Sequence, residues 1–331
     1  MKPAGTLLLT RGEIHSLLTL DECIAAVEQA FRFHAGGRTF PPGILGIHAP
    51  GGGFHIKAAG LKLDRTYFAA KTNGNFPQNM SRFGMPSIQG IIVLCDGENG
   101  YPLAIMDSIE ITLTRTAAAT AVAAKHLARP DSTVATICGC GNQGRVQLRA
   151  LATVCRLERV YAFDIEESRA ERFAAELSKP LGIEVKAVRD PTVAVRQSHI
   201  CVTCTPSRQF FLHAEDVAPG TFIAAVGADS PAKQELDPKL LASSTIVVDI
   251  LEQCATIGEL HHALEKGLVR STDVHAELAE VVAGRKPGRI SGEEIVVFDS
   301  TGTALQDVAA AAVIFEKAAR EGRGTTLNFT D

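Results

Sequence analysis

The stretch Val134–Asp164, VATICGCGNQGRVQLRALATVCRLERVYAFD, decides the fold. Its apolar start, up to Cys138, is typical of a buried parallel strand, and the residues that follow spell G-x-G-x-x-G. The pattern becomes helical from Asn142, and a second short strand over residues 159–163 ends in Asp164. The stretch therefore predicts a βαβ unit whose first turn is suited to binding phosphate.

Three glycines of this turn have separate physical roles. Gly139 permits the tight turn, Gly141 lets the backbone approach a pyrophosphate, and Gly144 allows the helix to pack closely on the strand. The N–H groups at the start of the helix then face the phosphates. Glycine-rich turns also connect ordinary strands and helices, so the prediction depends on the complete βαβ unit around this one.

Asp164 favours NAD(H) over NADP(H). It lies twenty residues after Gly144, where a carboxylate would accept hydrogen bonds from a ribose 2′-OH and repel a 2′-phosphate. Glu166 and Glu167 follow, and no basic residue comes before Arg169. The alternative is a solvated acid at a strand end, or a helix cap.

The composition is that of a globular protein large enough for two domains. The chain has 331 residues, of which 46% are hydrophobic and 21% are charged, and its formal net charge is −4. This charge makes nucleic acid and anionic membranes poor partners. The first residues fit neither a signal peptide nor an anchor, and no apolar stretch is long enough to span a bilayer, so we expect a cytoplasmic protein.

The cysteines and histidines predict no metal site. Eight cysteines without an export signal are expected to be reduced and buried. Cys201 and Cys204 form a CxxC pair in a strand-like segment, where residues three apart point to opposite faces. His261, His262 and His275 make no metal signature, so we expect them at the surface or in packing contacts.

Residues 1–113 predict a β-rich domain. An amphipathic helix comes first, after a cap at Thr19 or Asp21, and several strands separated by turn signals follow. Lys57 and Lys71 lie inside strands that are otherwise apolar or weakly polar. A lysine in a strand is ordinarily on the solvated face, and that is the alternative to a functional role for either one.

Arg115 lies near the N-terminal end of a predicted helix that has almost no polar face after this residue. A hairpin of residues 89–96 and 101–106 leads into ITLTRTAAATAVAAKHLA. Such a helix must be buried between layers, so its guanidinium is not there for solubility. The alternative is a structural ion pair with a carboxylate inside the protein.

Alternating strands and helices after the βαβ unit predict a doubly wound parallel sheet over residues 114–304. Ligands bind at the carboxyl ends of such strands. Thr205 follows one strand, and Asp229 with Lys233 follows another, although Asp229 is otherwise a turn acid or a helix cap. A last helix within residues 305–331 is expected to return to the first domain.

Five segments of the chain are characteristic in their order: AAKTNGNFPQN, DSIEITLTRTAAA, ICGCGNQG, AVGADSPAKQELD and VFDSTGTALQD. Together they resemble the ornithine cyclodeaminase/mu-crystallin family over nearly the whole chain. The resemblance implies an α/β fold in which a Rossmann-type, NAD-binding parallel-sheet domain is inserted into a β-rich α+β domain. In this family the β-rich domain binds substrate and forms the interface of a homodimer.

The resemblance also implies roles for particular residues. Lys71 and Arg115 would bind the substrate carboxylate, and Asp229, with Lys71, would form the catalytic group beside the reacting nitrogen. The residues implied to contact the nucleotide are Ser87, Arg115, Gly139, Gly141, Asn142, Gln143, Gly144, Asp164, Thr205, Val226, Gly227, Lys233 and Ser300.

The chain departs from ornithine cyclodeaminases in the substrate pocket. By resemblance, those enzymes carry an arginine after the Pro-Pro pair and a glutamate shortly before a Met-Pro. In this chain Gly43 occupies the arginine position, and the glutamate position falls at about His55. Lys57 stands where the methionine would be. A pocket that lost an acid and gained a cation repels a diamino acid. Lys57 with His55 suggests a second substrate carboxylate, unless Lys57 binds the α-carboxylate of a small uncharged substrate.

The predicted reaction is NADH-dependent reduction of a small 2-imino acid to an L-amino acid, or the reverse oxidative deamination. Among substrates, the iminosuccinate/aspartate pair comes first, and the imine of pyruvate with alanine comes next. One alternative is a cyclodeaminase that converts ornithine or a related diamino acid to a cyclic imino acid with catalytic NAD. Another is a nucleotide-loaded protein that binds a small hydrophobic ligand.

Overall fold

The computed structural model describes residues 5–329, which form two compact units. The first unit comprises the residues up to Arg115 and those from Thr303 onward, and the second comprises Thr116–Gly302. The sequence predicted these boundaries after residues 113 and 304. The C-terminal helix is part of the first unit, although the roles predicted for each domain stay predictions.

The first unit is built on one mixed sheet and its helices. Within the described residues, its strands are β1 (Thr6–Leu9), β2 (Thr39–Ala49), β3 (Gly52–Lys62), β4 (Thr66–Asn75), β5 (Ile88–Asp96), β6 (Pro102–Asp107) and β15 (Thr325–Leu327). Its helices are α1 (Arg11–Leu17), α2 (Leu20–Ala35), α3 (Asn79–Phe83), the first part of α4 (Ser108–Leu127) and α12 (Ala304–Glu321). The strand order is β15-β1-β6-β5-β4-β3-β2, and β2 to β6 form an antiparallel meander.

Alternation along the central strands decides which face of this sheet is buried. Ala59 and Leu61 on β3, and Tyr67 and Ala69 on β4, are buried at alternate positions. Helix α12 packs on β3 and β4 and also on α2. Because α12 is rich in alanine, it can approach the sheet closely, and most of its side chains are buried.

The second unit is a parallel sheet between helices. Its strands, within the described part of the chain, are β7 (Val134–Cys138), β8 (Arg159–Phe163), β9 (Glu184–Val188), β10 (Ile200–Thr203), β11 (Phe222–Ala225), β12 (Thr245–Val248), β13 (Ala276–Glu277) and β14 (Val296–Asp299). Its helices are α5 (Asn142–Val154), α6 (Glu167–Leu181), α7 (Pro191–Arg196), α8 (Pro238–Ala242), α9 (Leu251–Ile257), α10 (Glu259–Glu265) and α11 (Leu278–Val282), with short 3₁₀ turns at Ala214–Asp216 and Ser271–Asp273.

The strand order of the second unit, β13-β12-β14-β11-β10-β7-β8-β9, confirms the predicted doubly wound fold. Strands β8 and β9 lie on one side of β7, and β10 and β11 lie on the other. The order in which strands are added to the sheet therefore reverses at β7. In sheets of this kind the crevice at the carboxyl ends of the strands beside such a reversal binds the ligand.

Some local details differ from the sequence-based expectation. Arg115 lies two turns inside α4, because this helix begins at Ser108 rather than at Ile111. Strands β1 and β15 were not predicted, since a strand of three or four residues carries too little alternation to recognise. The capped helix is as predicted, with Thr19 in a capping box with Glu22. No helix in residues 5–329 is long and apolar enough to cross a membrane.

Candidate nucleotide site and buried ion cluster

The glycine-rich turn of the second unit has the geometry that the sequence predicted. Gly139 follows β7 with φ of +108°, a conformation that side chains other than glycine rarely adopt. A Cβ on Gly144 would lie 2.0 Å from the Gly139 carbonyl oxygen, so α5 can approach the turn only with glycine there. A Cβ on Gly141 would meet nothing within 4 Å, which leaves open space at the residue predicted to face the pyrophosphate.

The start of α5 and the end of β8 both fit a dinucleotide. Gly141 is the N-cap residue of α5, and no side chain of the described residues caps this helix. Its first N–H groups and its dipole therefore favour an anion. Asp164 accepts hydrogen bonds from the Cys140 N–H at 2.9 Å and the Glu166 N–H at 3.0 Å. These bonds fix the carboxylate at the strand end, where a ribose would lie beside the turn.

The other predicted nucleotide residues of this unit follow β10, β11 and β14, which are neighbours in the sheet. Thr205 and Gly227 come two residues after their strands, and Ser300 comes directly after β14. The Ser300 hydroxyl lies 3.4 Å from a carboxylate oxygen of buried Asp249, which also accepts the Gly302 N–H at 2.6 Å. The sheet thus brings the predicted loops to one edge, while the contacts of Asn142, Gln143 and Val226 with a nucleotide stay predictions.

Asp229 and Lys233 form an ion pair in the loop after β11. The Lys233 ammonium lies 2.6 Å from a carboxylate oxygen of Asp229, and half of the Asp229 side chain is exposed. An exposed carboxylate held by a cation can exchange protons with a ligand. The predicted catalytic role of Asp229 stays a prediction.

Two histidines predicted to be ordinary surface or packing groups come together with a glutamate near this loop. The ligand atoms of His261, His262 and Glu265 all lie within 4.8 Å of one another. The His262 Nε2 is 2.8 Å from the Lys233 carbonyl oxygen. The proximity of the three side chains was not predicted. The contact of His262 with the backbone supports the Asp229 loop.

The first unit holds a buried ion cluster. Lys57 and Lys71 are direct cross-strand partners on β3 and β4, and both are buried. They continue the row of core positions that faces α12, so the solvated face expected for an ordinary strand lysine is wrong for both. The Lys71 ammonium lies 2.8 Å from Asp307 of α12. His55 lies two residues before Lys57 on β3 and is half-buried.

Arg115 reaches the same carboxylate from α4. Its Nε donates to Asp307 Oδ1 at 3.0 Å, and its Nη1 donates to Gln306 Oε1 at 2.7 Å, while neither bond uses Nη2. The structural ion pair that the sequence left open for Arg115 is therefore present. The sequence reasoning missed Asp307 itself, although a carboxylate in the first turn of an alanine-rich helix could pair with the guanidinium of another such helix.

The charges of the cluster shift one another. Burial, together with the charges of Arg115 and Lys57, lowers the pKa of Lys71 to about 7, although Asp307 opposes the shift. Burial opposes the ionisation of Asp307, yet Lys71 and Arg115 outweigh it and lower the pKa of this carboxyl. Asp307 is thus ionised, and it faces the Arg115 guanidinium and the Lys71 amine.

Ser87, predicted to contact the nucleotide, belongs to the first unit. Its carbonyl oxygen accepts the Phe76 N–H at 2.8 Å, and its hydroxyl lies 3.5 Å from the Pro77 carbonyl oxygen. It therefore closes the loop that contains α3. Its predicted contact with the nucleotide, like that of Arg115, stays a prediction.

Known proteins are similar to this chain over nearly its whole length. A model of the ornithine cyclodeaminase/mu-crystallin family matches residues 5–322. Alanine dehydrogenase of Archaeoglobus fulgidus is 41% identical, with 98% of each chain covered. The structure of an archaeal alanine dehydrogenase dimer with bound NAD has a TM-score of 0.94 at 41% identity, and covers 98% of this chain and 99% of that one.

Two reductases are also similar. Δ1-pyrroline-2-carboxylate reductase of Thermococcus litoralis, in complex with NADH and L-proline, has a TM-score of 0.92 at 36% identity over 97% of this chain and 100% of that one. Iminosuccinate reductase of Paracoccus denitrificans is 33% identical, with 96% of this chain and 98% of the relative covered. Its complex with NAD+ has a TM-score of 0.90 at 32% identity over 98% of this chain and 100% of that one. The chain belongs to the ornithine cyclodeaminase/mu-crystallin family, which confirms the prediction from its motifs.

Two glycine variants separate the packing role of the turn from its predicted phosphate role. Gly144→Ala forces a methyl group against the Gly139 carbonyl oxygen, so we expect a loss of about 1–3 kcal/mol in the free energy of unfolding. Gly141→Ala should leave stability unchanged but weaken NADH binding about tenfold or more, because the methyl group fills the space for the pyrophosphate. Urea unfolding and NADH fluorescence titration measure the two effects. Full NADH affinity in Gly141→Ala would contradict the assignment of the turn.

Removing the shared carboxylate should destabilise the first unit. Asp307→Asn leaves two buried cations without their counter-ion, which costs about 3–5 kcal/mol in the free energy of unfolding. The double variant Asp307→Asn/Lys71→Met restores the net charge of the cluster and should be more stable than Asp307→Asn alone. Chemical unfolding of the wild type, Asp307→Asn, Lys71→Met and the double variant tests this cycle. A cost below about 1 kcal/mol for Asp307→Asn would mean that the cluster is already screened by solvent.

Proposed function

We propose that the chain is an NAD(H)-dependent oxidoreductase that reduces a small 2-imino acid to an L-amino acid, or catalyses the reverse oxidative deamination. The activities of its alanine dehydrogenase and imino-acid reductase relatives bear out this prediction from the sequence. The single observation that carries the proposal is the buried pair of cations, Lys71 and Arg115, that share one carboxylate.

The charge balance of this cluster supports an anionic substrate. Lys71 and Arg115 carry two positive charges when both are ionised, and Asp307 supplies one negative charge. A buried cation is costly unless an anion pairs with it. A substrate carboxylate supplies that anion, with the Lys71 ammonium as a point charge and the guanidinium of Arg115 as a hydrogen-bonding fork.

The position of Lys57 favours a small substrate with one carboxylate. Its side chain is buried beside Lys71, and its charge lowers the pKa of both Lys71 and Asp307. The charge of Lys57 therefore adds to that of the Lys71 and Arg115 cluster and does not form a second, separate anion site. This observation and the alanine dehydrogenase relative move the imine of pyruvate, with alanine as product, ahead of iminosuccinate with aspartate.

The second unit supplies the cofactor site. NADH, when bound, supplies the hydride that reduces the imine carbon. The turn at Gly139–Gly144 binds the pyrophosphate, and the carboxylate of Asp164 accepts hydrogen bonds from the adenine ribose and disfavours NADPH. Asp229, paired with Lys233, exchanges the proton on the substrate nitrogen. Reduction then consumes one imino acid, one NADH and one proton.

A cyclodeaminase that acts on ornithine is the competing reaction in this family. It requires a pocket that tolerates the second ammonium of a diamino acid. Buried Lys57 contributes positive charge to the cation cluster, and Gly43 offers no side chain in place of the cyclodeaminase arginine. The positive charge of Lys57 opposes a cationic substrate, and the absence of the arginine side chain at Gly43 separates this pocket from that of the cyclodeaminases.

The test of function is a panel of substrates assayed for NADH oxidation. Pyruvate, glyoxylate and oxaloacetate are each supplied with ammonia, and ornithine is assayed separately for ammonia release. We expect net NADH oxidation to be fastest with pyruvate and ammonia. Turnover of ornithine with no net change in NADH would contradict the proposal and identify a cyclodeaminase.

Lys57→Met is informative within the same panel. If Lys57 belongs to the α-carboxylate site, this variant raises KM for the pyruvate and oxaloacetate imines by the same factor. If Lys57 binds a second carboxylate, KM rises for the oxaloacetate imine alone. We expect the first result, and the second would restore iminosuccinate as the substrate.

We also propose that the chain forms a homodimer through the outer face of the first sheet. Cross-strand pairing aligns Leu45, Ile56, Thr72 and Ile91 in one row on the face opposite Lys57 and Lys71. Leu45 is 54% exposed and Ile91 is 47% exposed. An apolar patch of this kind marks a protein interface, and the archaeal alanine dehydrogenase relative is a dimer. The cytoplasmic location stays a prediction from the sequence.

Leu45→Lys should dissociate the dimer. A lysine in the middle of an apolar interface must lose its hydration, so we expect monomers at micromolar concentration in sedimentation velocity. Val193→Lys is the matched control, because Val193 is also exposed, at 55%, but lies on α7 of the second unit. A Leu45→Lys protein with the wild-type sedimentation coefficient would contradict this interface.

A further inference from the structure

One buried carboxylate outside the predicted site ties two of its loops together. Glu235 follows the Asp229 loop and is fully buried. Its Oε1 accepts the Thr205 N–H at 2.7 Å and the Thr205 hydroxyl at 2.7 Å. Its Oε2 accepts the Gly227 N–H at 3.1 Å. A single side chain therefore fixes the start of the loop after β10 against the start of the loop after β11.

The contact with Gly227 closes the loop that carries Asp229 and Lys233. Gly227 precedes these two residues and Glu235 follows them, so the bond between Glu235 and Gly227 joins the two ends of the loop. A Cβ on Gly227 would lie 2.3 Å from Glu235 Oε2 and 2.6 Å from the Thr205 carbonyl oxygen. The backbone at 227 thus rests directly on the carboxylate, and only glycine fits.

Helix α10 holds the Glu235 segment from behind. The carboxylate of Glu259, which is also buried, accepts the Glu235 N–H at 2.7 Å and the Leu236 N–H at 3.2 Å. The His262 ring, one turn further along α10, contacts the Lys233 carbonyl oxygen. The backbone after Asp229 is therefore anchored at two places to one helix.

The hydrogen-bond pattern at Glu235 favours an ionised carboxylate. The Thr205 N–H, the Thr205 hydroxyl and the Gly227 N–H all donate to this carboxylate. A proton on Oε2 would compete with the Gly227 N–H. Burial raises the pKa of Glu235, and the bonds from Thr205 and Gly227 oppose that shift. A neutral amide at this position cannot satisfy both loops.

We propose that Glu235 is a positioning residue that sets the orientation of Asp229, by holding the loop from Gly227 to Glu235 against Thr205. This inference rests on the proposed function, since Asp229 acts there as the group that exchanges the substrate proton. Proton transfer depends on hydrogen-bond distance, and a misplacement on the order of 1 Å can cost about 100-fold in rate. Glu235 itself touches neither the substrate nor the proton.

A double-mutant cycle tests the proposal. Glu235→Gln, Asp229→Asn and the double variant are assayed for kcat with the best 2-oxo acid and ammonia, and for NADH affinity by fluorescence. We expect Glu235→Gln to lower kcat about 100-fold, as Asp229→Asn does, and the double variant to be no slower than Asp229→Asn alone. Glu265→Gln is the control, because Glu265 is an exposed acid on the same helix α10, and it should keep the wild-type kcat.

The outcomes are distinguishable. If the two effects multiply in the double variant, Glu235 does not act through Asp229, and the inference is overturned. If Glu235→Gln keeps the wild-type kcat, it is also overturned, while the proposed function stands. If the wild type oxidises no NADH with any 2-oxo acid, the proposed function itself fails. Should Glu235→Gln not fold, Thr205→Val, which removes only the hydroxyl bond to Glu235, enters the same cycle with the same criterion.

Discussion

The ion cluster at Asp307 is the constraint on which the first unit depends. Its carboxylate receives Lys71 from the sheet and Arg115 from α4 in a region closed to solvent. Replacing these three groups by apolar ones would cost the fold little. Under the proposed function, the presence of these charges is therefore better explained by ligand binding than by stability. A cluster that is short of negative charge has an affinity for an anion, and under the proposed function a carboxylate substrate supplies that charge.

Buried carboxylates also organise the second unit, but there they order backbone loops. Glu235 holds the loops after β10 and β11, and Asp249 accepts the Gly302 N–H in the loop after β14. Each receives several N–H or O–H donors, which offset the cost of burying the charge. The loops at the carboxyl edge of the sheet are thus held by contacts within the protein itself. Such preorganisation is what a hydride-transfer site needs.

Patterns that are local in the sequence predicted much of this architecture, and long-range pairs escaped it. The βαβ unit at Val134–Asp164 was readable because strand, turn and helix follow one another within thirty-one residues. Lys57 and Lys71 stood out as charges in apolar strands, but the sequence could not tell a solvated face from a buried one. That choice depends on α12, which arrives more than two hundred residues later, and Asp307 was missed for the same reason. Glu235 was missed because a single acid in a loop has no periodicity that would mark it.

Proton uptake on carboxylate binding is the most direct measure of the central claim. Lys71 has a pKa of about 7 in the free protein, so at pH 8 most molecules hold it neutral. An anion beside the amine favours its charged form and raises that pKa. Calorimetric titration of the NAD+-loaded protein with pyruvate, in two buffers of different ionisation enthalpy, should therefore report uptake that approaches one proton per pyruvate at pH 8, and none in Lys71→Arg. Pyruvate binding with no proton uptake, and with unchanged affinity in Lys71→Met, would contradict the account.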